Sequence, residues 1–131
     1  LPLTGTGEET RDFTYVLDLV QGLIKAAFYE DAIGQAFNLA SGKETKIKDM
    51  IAMVNHSTGN SKPITQFPPR KWDTKKRLLA SIELAGKLID YNPIISFEDG
   101  LNENFKWFSN NWAKVQLSAD FPVGMSSAIR K

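Results

Sequence analysis

With 131 residues, 42% of them hydrophobic, the chain is the size of one domain and long enough to bury one sizeable core. Sixteen basic side chains nearly balance fifteen acidic ones, and a formal charge of +1 leaves no electrostatic footprint for nucleic acid or an anionic membrane. The absence of cysteine excludes disulfides, thiol catalysis and cysteine-ligated metal or iron-sulfur centres, and fits a cytoplasmic location; no apolar run approaches the roughly 18 residues of a membrane span, and no secretion signal is present.

The chain starts at Leu1 without an initiator methionine, inside a strand-turn segment, so a piece of a longer protein is the expectation. "LPLTG" at residues 1 to 5 has the letters of a sortase signal, but "TGEETRD" follows where an apolar segment and a basic tail would be needed. "DFTYV", residues 12 to 16, is aromatic and β-branched and predicts a short strand. Asp18 is placed to cap a helix running to about Tyr29, with Leu19, Val20, Leu23, Ile24, Ala27 and Phe28 on one face. "QAFNLAS", residues 35 to 41, predicts a second strand ending at Gly42. Thr45 then caps a helix to about Asn55, whose core stripe is Ile47, Met50, Ile51 and Val54.

"STGNSKP", residues 57 to 63, is a loop by composition, "ITQF" a third strand, and "PPRKWD" an extended segment because Pro68 and Pro69 can neither join a ladder nor favour helix. Leu78 to Ile89 predicts a third helix. Ser96 with Asp99 resembles a capping box for a last helix to about Trp112, and the stripe Phe97, Leu101, Phe105, Phe108 and Trp112 reads as core. Residues 113–131 lack clear periodicity and are expected to form a loosely attached tail on a domain of residues 1–112. The order of elements describes a small α+β layer domain of short strands and about four helices.

The chemistry is sparse. His56, the sole histidine, sits at a loop edge with no carboxylates at ligand spacing, so no metal site is expected. "GTG" at residues 5 to 7 lacks the Lys-Ser/Thr of a phosphate loop and the helix of a dinucleotide fingerprint, and no catalytic constellation can be assembled. What remains is anion recognition. Arg11 follows a flexible turn at the mouth of a strand, Arg70 follows two stiffening prolines, and Asp73 stands three residues later. A planar guanidinium on a rigid support can grip a phosphate bidentately, and a carboxylate can accept from vicinal hydroxyls. The three make either a nucleoside-diphosphate clamp or ordinary surface salt bridges.

"GTGEETRDFTYVLDLVQGL" resembles the G-x-G-x-x-x-R-D-F-x-Y/H-V-x-D stretch of extended short-chain dehydrogenase/reductases, the NAD-dependent sugar-nucleotide epimerase/dehydratase family. "FNLASGKETKI" is similar to its Y-N-I/L-G-S-G strand and turn, and "PPRKWDTKKRLLASIELAGKLIDYNPIISFEDGLNENFKWF" to its P-x-R-x-x-D, A-D-I-S-K-A and S-F-E-E-G-L blocks. The blocks stand in the family's order across residues 5 to 108. Ser81 and Leu84 depart from the family's Asp and Lys, and "LIDY" from its Leu-Gly-Tyr.

The resemblance implies the C-terminal, substrate-binding part of such an enzyme. The N-terminal Rossmann domain, with its glycine-rich loop for NAD or NADP and its catalytic Tyr-x-x-x-Lys, would lie elsewhere in the same protein, so this piece alone would bind no cofactor and catalyse nothing. Arg11 and Arg70 match the family's diphosphate arginines, and Asp73 its ribose-contacting carboxylate. Asn38 and Asp18 are expected to be structural. The partners implied are a nucleotide-sugar and the Rossmann domain of the same chain, in a homodimeric enzyme. Two alternatives are a stand-alone nucleotide-sugar or phosphate-ligand module and a purely structural domain whose arginines are salt-bridged.

Overall fold

The computed structural model describes residues 1–118, and the expected tail falls partly outside them, at residues 119–131. Two short sheets and four helices make up the described chain. Strand β1 (Pro2–Thr4) pairs in parallel with β4 (Thr65–Phe67), and β2 (Thr10–Asp12) pairs antiparallel with β3 (Glu44–Lys46), Arg11 opposite Thr45. Helices α1 (Val16–Phe28), α2 (Ile47–Thr58), α3 (Glu83–Ile89) and α4 (Phe97–Ser118) complete the layer, with a 3-10 turn at Glu30–Ala32. This is the α+β domain that the element order predicts.

The glycine-containing turn after β1 has a steric cause. Gly7 adopts φ +79°, and a Cβ there would stand 3.0 Å from Lys48 Cβ, so a side chain would push against the first turn of α2. The turn therefore lies directly on that helix, and Lys48 N–H donates to Gly7 O at 2.9 Å.

Several elements differ from expectation, each for a tertiary reason. The first expected strand, residues 12 to 16, is shifted: β2 ends at Asp12 because its partner β3 begins at Glu44, leaving Phe13 without a ladder. Phe13 packs instead against the Phe97 ring, centroids 4.9 Å apart. Residues 35–41 form no strand, since no strand among the described residues lies beside them to accept their backbone bonds. Asn38 holds that segment by donating to Ser81 O at 3.2 Å, the structural role expected for it. Helix α3 starts at Glu83 instead of Leu78 because the preceding backbone is drawn to β2: Thr10 N–H donates to Lys76 O and Leu78 N–H to Thr10 O, at 2.8 and 3.2 Å.

The caps move as well. Asp18 does not cap α1; Tyr15 occupies that place, and Asp18 lies buried in the first turn, accepting from Ile94 and Ile95 N–H at 3.2 and 3.0 Å. Lys46, not Thr45, precedes α2, which runs past Asn55 to Thr58 and stops at Gly59 with φ +64°. The Ser96 hydroxyl accepts from Asp99 N–H at 3.0 Å, as the capping pattern predicts, and α4 continues six residues beyond Trp112 to Ser118.

The core is small. Ala85, Ile89 and Tyr91 are buried and packed by Ala26, Phe37, Leu39, Ile82 and Leu88, and the Tyr91 hydroxyl donates to Ala40 O at 3.0 Å. Ile51 of α2 is buried, as its stripe predicts. The aromatic stripe of α4 is not: Phe105, Phe108 and Trp112 are 41%, 41% and 54% exposed, because no described element lies across that face. The apolar residues of α1 are likewise exposed, Phe28 to 82%.

Candidate functional site

Arg11, Arg70 and Asp73 line one cleft of about 220 Å³. Four parts of the chain build it, the first being β2, which contributes Arg11. Strand β1 and the following turn contribute Pro2 to Gly5 and Glu9, α2 contributes Ile47, Met50 and Ile51, and the proline-stiffened segment contributes Pro69, Arg70, Asp73 and Lys75. Two hydrogen bonds to the Gly5 backbone bring them together: Gly5 N–H donates to Phe67 O at 3.0 Å, and the Gln66 amide donates back to Gly5 O at 2.9 Å, so the turn is stitched to β4 just before Pro68. The lining mixes apolar side chains, Leu3, Ile47, Met50 and Ile51, with charged ones, an arrangement suited to a ligand with a flat, weakly polar part and an anionic part.

Arg11, Arg70 and Asp73 are each oriented by a neighbour. Arg11 projects from the middle of β2 and donates Nη1–H to Thr10 O at 2.7 Å, which restrains the guanidinium beside its own strand. Arg70 donates Nε–H and Nη2–H to the two oxygens of Asp73 at 2.8 and 2.9 Å, while Asp73 N–H donates to Arg70 O at 3.0 Å and closes a tight turn. The Trp72 ring lies under the Arg70 guanidinium at 5.6 Å. Hydrogen bonding from Arg70 holds the Asp73 carboxyl below its ordinary range, and the charges of Arg70 and Arg11 act in the same direction. Asp73 is therefore an anion at neutral pH, and Arg70 keeps its Nη1 edge for another acceptor.

Three further carboxylates hold the cleft's scaffold, Asp12, Glu44 and Glu8. Asp12 accepts from Ser41 N–H at 2.9 Å, from the Ser41 hydroxyl, and from Gly42 N–H at 3.0 Å, joining β2 to the turn before β3. Glu44 accepts from Arg77 Nε and Nη2 at 2.8 and 2.7 Å and from the Thr10 hydroxyl at 2.6 Å, and the Arg77 bonds bring its carboxyl down to about 2. Glu8 is brought to about 2 by Lys48 and Lys46. None of these was singled out by sequence reasoning; the signal available was the Arg-Asp pair at residues 11 and 12, of which only the arginine drew attention. Lys75 and Glu9 were also missed as cleft residues.

No group of three or more His, Asp or Glu side chains suited to a metal ion occurs among the described residues, and His56 is exposed near the end of α2. No helix of the described chain is long and apolar enough to cross a membrane.

No protein-family model matches the chain. Over 112 residues it is 34% identical to a UDP-glucose 4-epimerase of Cyamopsis tetragonoloba, a match covering 82% of this chain and 31% of that protein. An epimerase of Methanothermobacter thermautotrophicus superposes with a TM-score of 0.88 at 45% identity, covering 92% of this chain and 36% of that one. The Bordetella bronchiseptica enzyme WbmF, solved with NAD+ and UDP, superposes with a TM-score of 0.75 at 36% identity over 89% of this chain and 34% of its own. The chain thus spans about a third of the length of the relatives it matches.

Proposed function

The chain belongs to the extended short-chain dehydrogenase/reductase family of sugar-nucleotide epimerases and dehydratases, and on that premise we propose that it is the C-terminal substrate-binding domain of an NAD-dependent enzyme acting on a nucleotide-sugar. The observation that carries this reading is the meeting of Arg11, Arg70 and Asp73 with apolar side chains in one cleft. Arg11 and Arg70 take the diphosphate, Asp73 accepts from the ribose hydroxyls, and Leu3, Ile47 and Met50 provide the surface for the remainder of the nucleoside. WbmF, a structural neighbour solved with both NAD+ and UDP, supports a uridine nucleotide as the ligand and NAD as the cofactor of the whole protein.

The described residues do not fit NAD. The "GTG" turn leads into β2 and not into a helix N-terminus, so it offers no pyrophosphate cradle. The cofactor is accordingly assigned to the remaining part of the protein, and no hydride step is assigned to these residues. A Rossmann domain as the partner in the same protein is supported by two surfaces. The apolar face of α1 is uncovered, and the β-prone segment at residues 35–41 has no neighbouring strand among those described. Holding the diphosphate at a distance from the reacting sugar carbon supplies binding energy that orients the sugar without taking part in bond changes.

Arg70→Ala in the full-length enzyme tests this. The expected result is a KM for the nucleotide-sugar raised about tenfold or more, because a charge-assisted phosphate contact is lost. An unchanged KM would show that Arg70 serves only its salt bridge with Asp73.

A further inference from the structure

Lys75 lines the same cleft as Arg11, Arg70 and Asp73, two residues beyond the Arg-x-x-Asp segment. Its importance follows from how the other charged groups of the lining are already engaged. Asp73 meets Arg70 along Nε and Nη2, so that guanidinium reaches the cleft with much of its charge offset. Glu9, the second carboxylate of the lining, accepts from Gly7 N–H at 2.9 Å and adds a negative charge there. Three cations against two carboxylates leave the lining one charge positive, and removing Lys75 would leave it neutral.

A diphosphate carries negative charge on each phosphate, and a neutral lining attracts it poorly. Among the described residues Lys75 has no ion-pair partner. Its ammonium is a compact charge with three rotatable donors on a flexible stem, able to turn towards a ligand that arrives between the two arginines.

We infer that Lys75 is a third phosphate-binding cation of this cleft, supplying the net positive charge that the Arg70–Asp73 pair withholds. The inference rests on the reading of the cleft as a nucleoside-diphosphate site. It also divides the labour among the three cations: Arg11 and Arg70 fix the geometry of the diphosphate, and Lys75 provides the attraction that brings it in.

The test is calorimetric titration of the full-length protein with UDP and, separately, with uridine, comparing wild type, Lys75→Gln, Lys75→Arg and Arg70→Ala at low and high salt. Lys75→Gln is expected to weaken UDP about tenfold, to leave uridine unchanged, and to flatten the salt dependence of UDP binding, with Lys75→Arg restoring most of the loss. If Arg70→Ala weakens UDP and Lys75→Gln does not, the inference about Lys75 is overturned while the nucleotide reading stands. Equal weakening of UDP and uridine by Lys75→Gln also overturns it, because the effect would then be one of structure and not of phosphate charge. Failure of the wild-type protein to bind UDP would overturn the nucleotide reading and this inference together.

Discussion

Asp12 holds Ser41 twice, accepting its backbone N–H at 2.9 Å and its side-chain hydroxyl with the same carboxylate oxygen. The other oxygen takes Gly42 N–H at 3.0 Å, so a single side chain ties β2 to the turn that delivers β3. The partner of Arg11 in the ladder is therefore positioned by the residue next to Arg11 in sequence. Replacing Asp12 by Ala removes these bonds and a longer one from Ala80 N–H, leaving three backbone donors to find water, at a cost of about 2 kcal/mol or more. Urea unfolding of the full-length protein measures it, with amide exchange at Ser41 and Gly42 as the local readout. Unchanged protection at both amides would mean that the turn stands without Asp12.

Gly22 sets two effects against each other. Alanine is intrinsically the better helix former by about 1 kcal/mol, so Gly22→Ala in the middle of α1 would stabilise an isolated helix. Here a Cβ would lie 2.8 Å from both Leu39 Cδ2 and Tyr91 Cε2, inside the contact between α1 and the buried tyrosine. Overpacking of this kind costs about 1 to 3 kcal/mol, so the substitution is expected to destabilise the domain. A raised unfolding midpoint would show that the Tyr91 ring yields easily.

Tyr91→Phe isolates a hydrogen bond at the same place. The hydroxyl donates to Ala40 O at 3.0 Å, and both residues are buried. Losing the donor leaves the carbonyl without that partner, which costs about 1 to 3 kcal/mol. The expected local sign is faster amide exchange in residues 38–41, with α2 unaffected.

Acid destabilisation should follow from Glu8 and Glu44. Both carboxyls are held at about 2 in the folded chain, against an ordinary value of 4.5, by Lys48 with Lys46 and by Arg77 with Thr10 respectively. Between those values the unfolded chain binds protons that the folded chain does not, so lowering the pH favours unfolding. The contribution of the two groups is complete above pH 4.5 and is lost as the pH falls towards 2. Denaturant midpoints measured from pH 6 to pH 2.5 should fall less steeply in Glu44→Gln than in wild type. Parallel curves would show that the Arg77 pair is too well solvated to matter.

The uncovered face of α1 makes a prediction about context. Val16, Leu23, Ile24 and Phe28 are 58%, 57%, 55% and 82% exposed, a contiguous apolar surface of a kind that soluble proteins seldom leave open. The isolated chain should bind a hydrophobic dye strongly and associate with itself, and the full-length protein should do neither. Equal dye binding by both would mean that the rest of the protein does not cover α1.

The sequence alone was enough to predict an α+β domain, the β4 strand, the burial of Ile51 in the stripe of α2 and the Ser96–Asp99 cap, because each depends on neighbours within a few residues: periodic apolar spacing, proline restriction or a reachable N–H. It also singled out Arg11, Arg70 and Asp73 by residue type, but could offer a clamp and a salt bridge only as alternatives. Tertiary structure decided that the three share a cleft, and that Arg70 and Asp73 are paired within it. Strand ends at Asp12, the late start of α3 and the absent strand at residues 35–41 were beyond local reading for one reason. Whether a backbone pairs depends on which other backbone lies beside it, and in β2 and the segment before α3 that partner comes from residues far away in the chain.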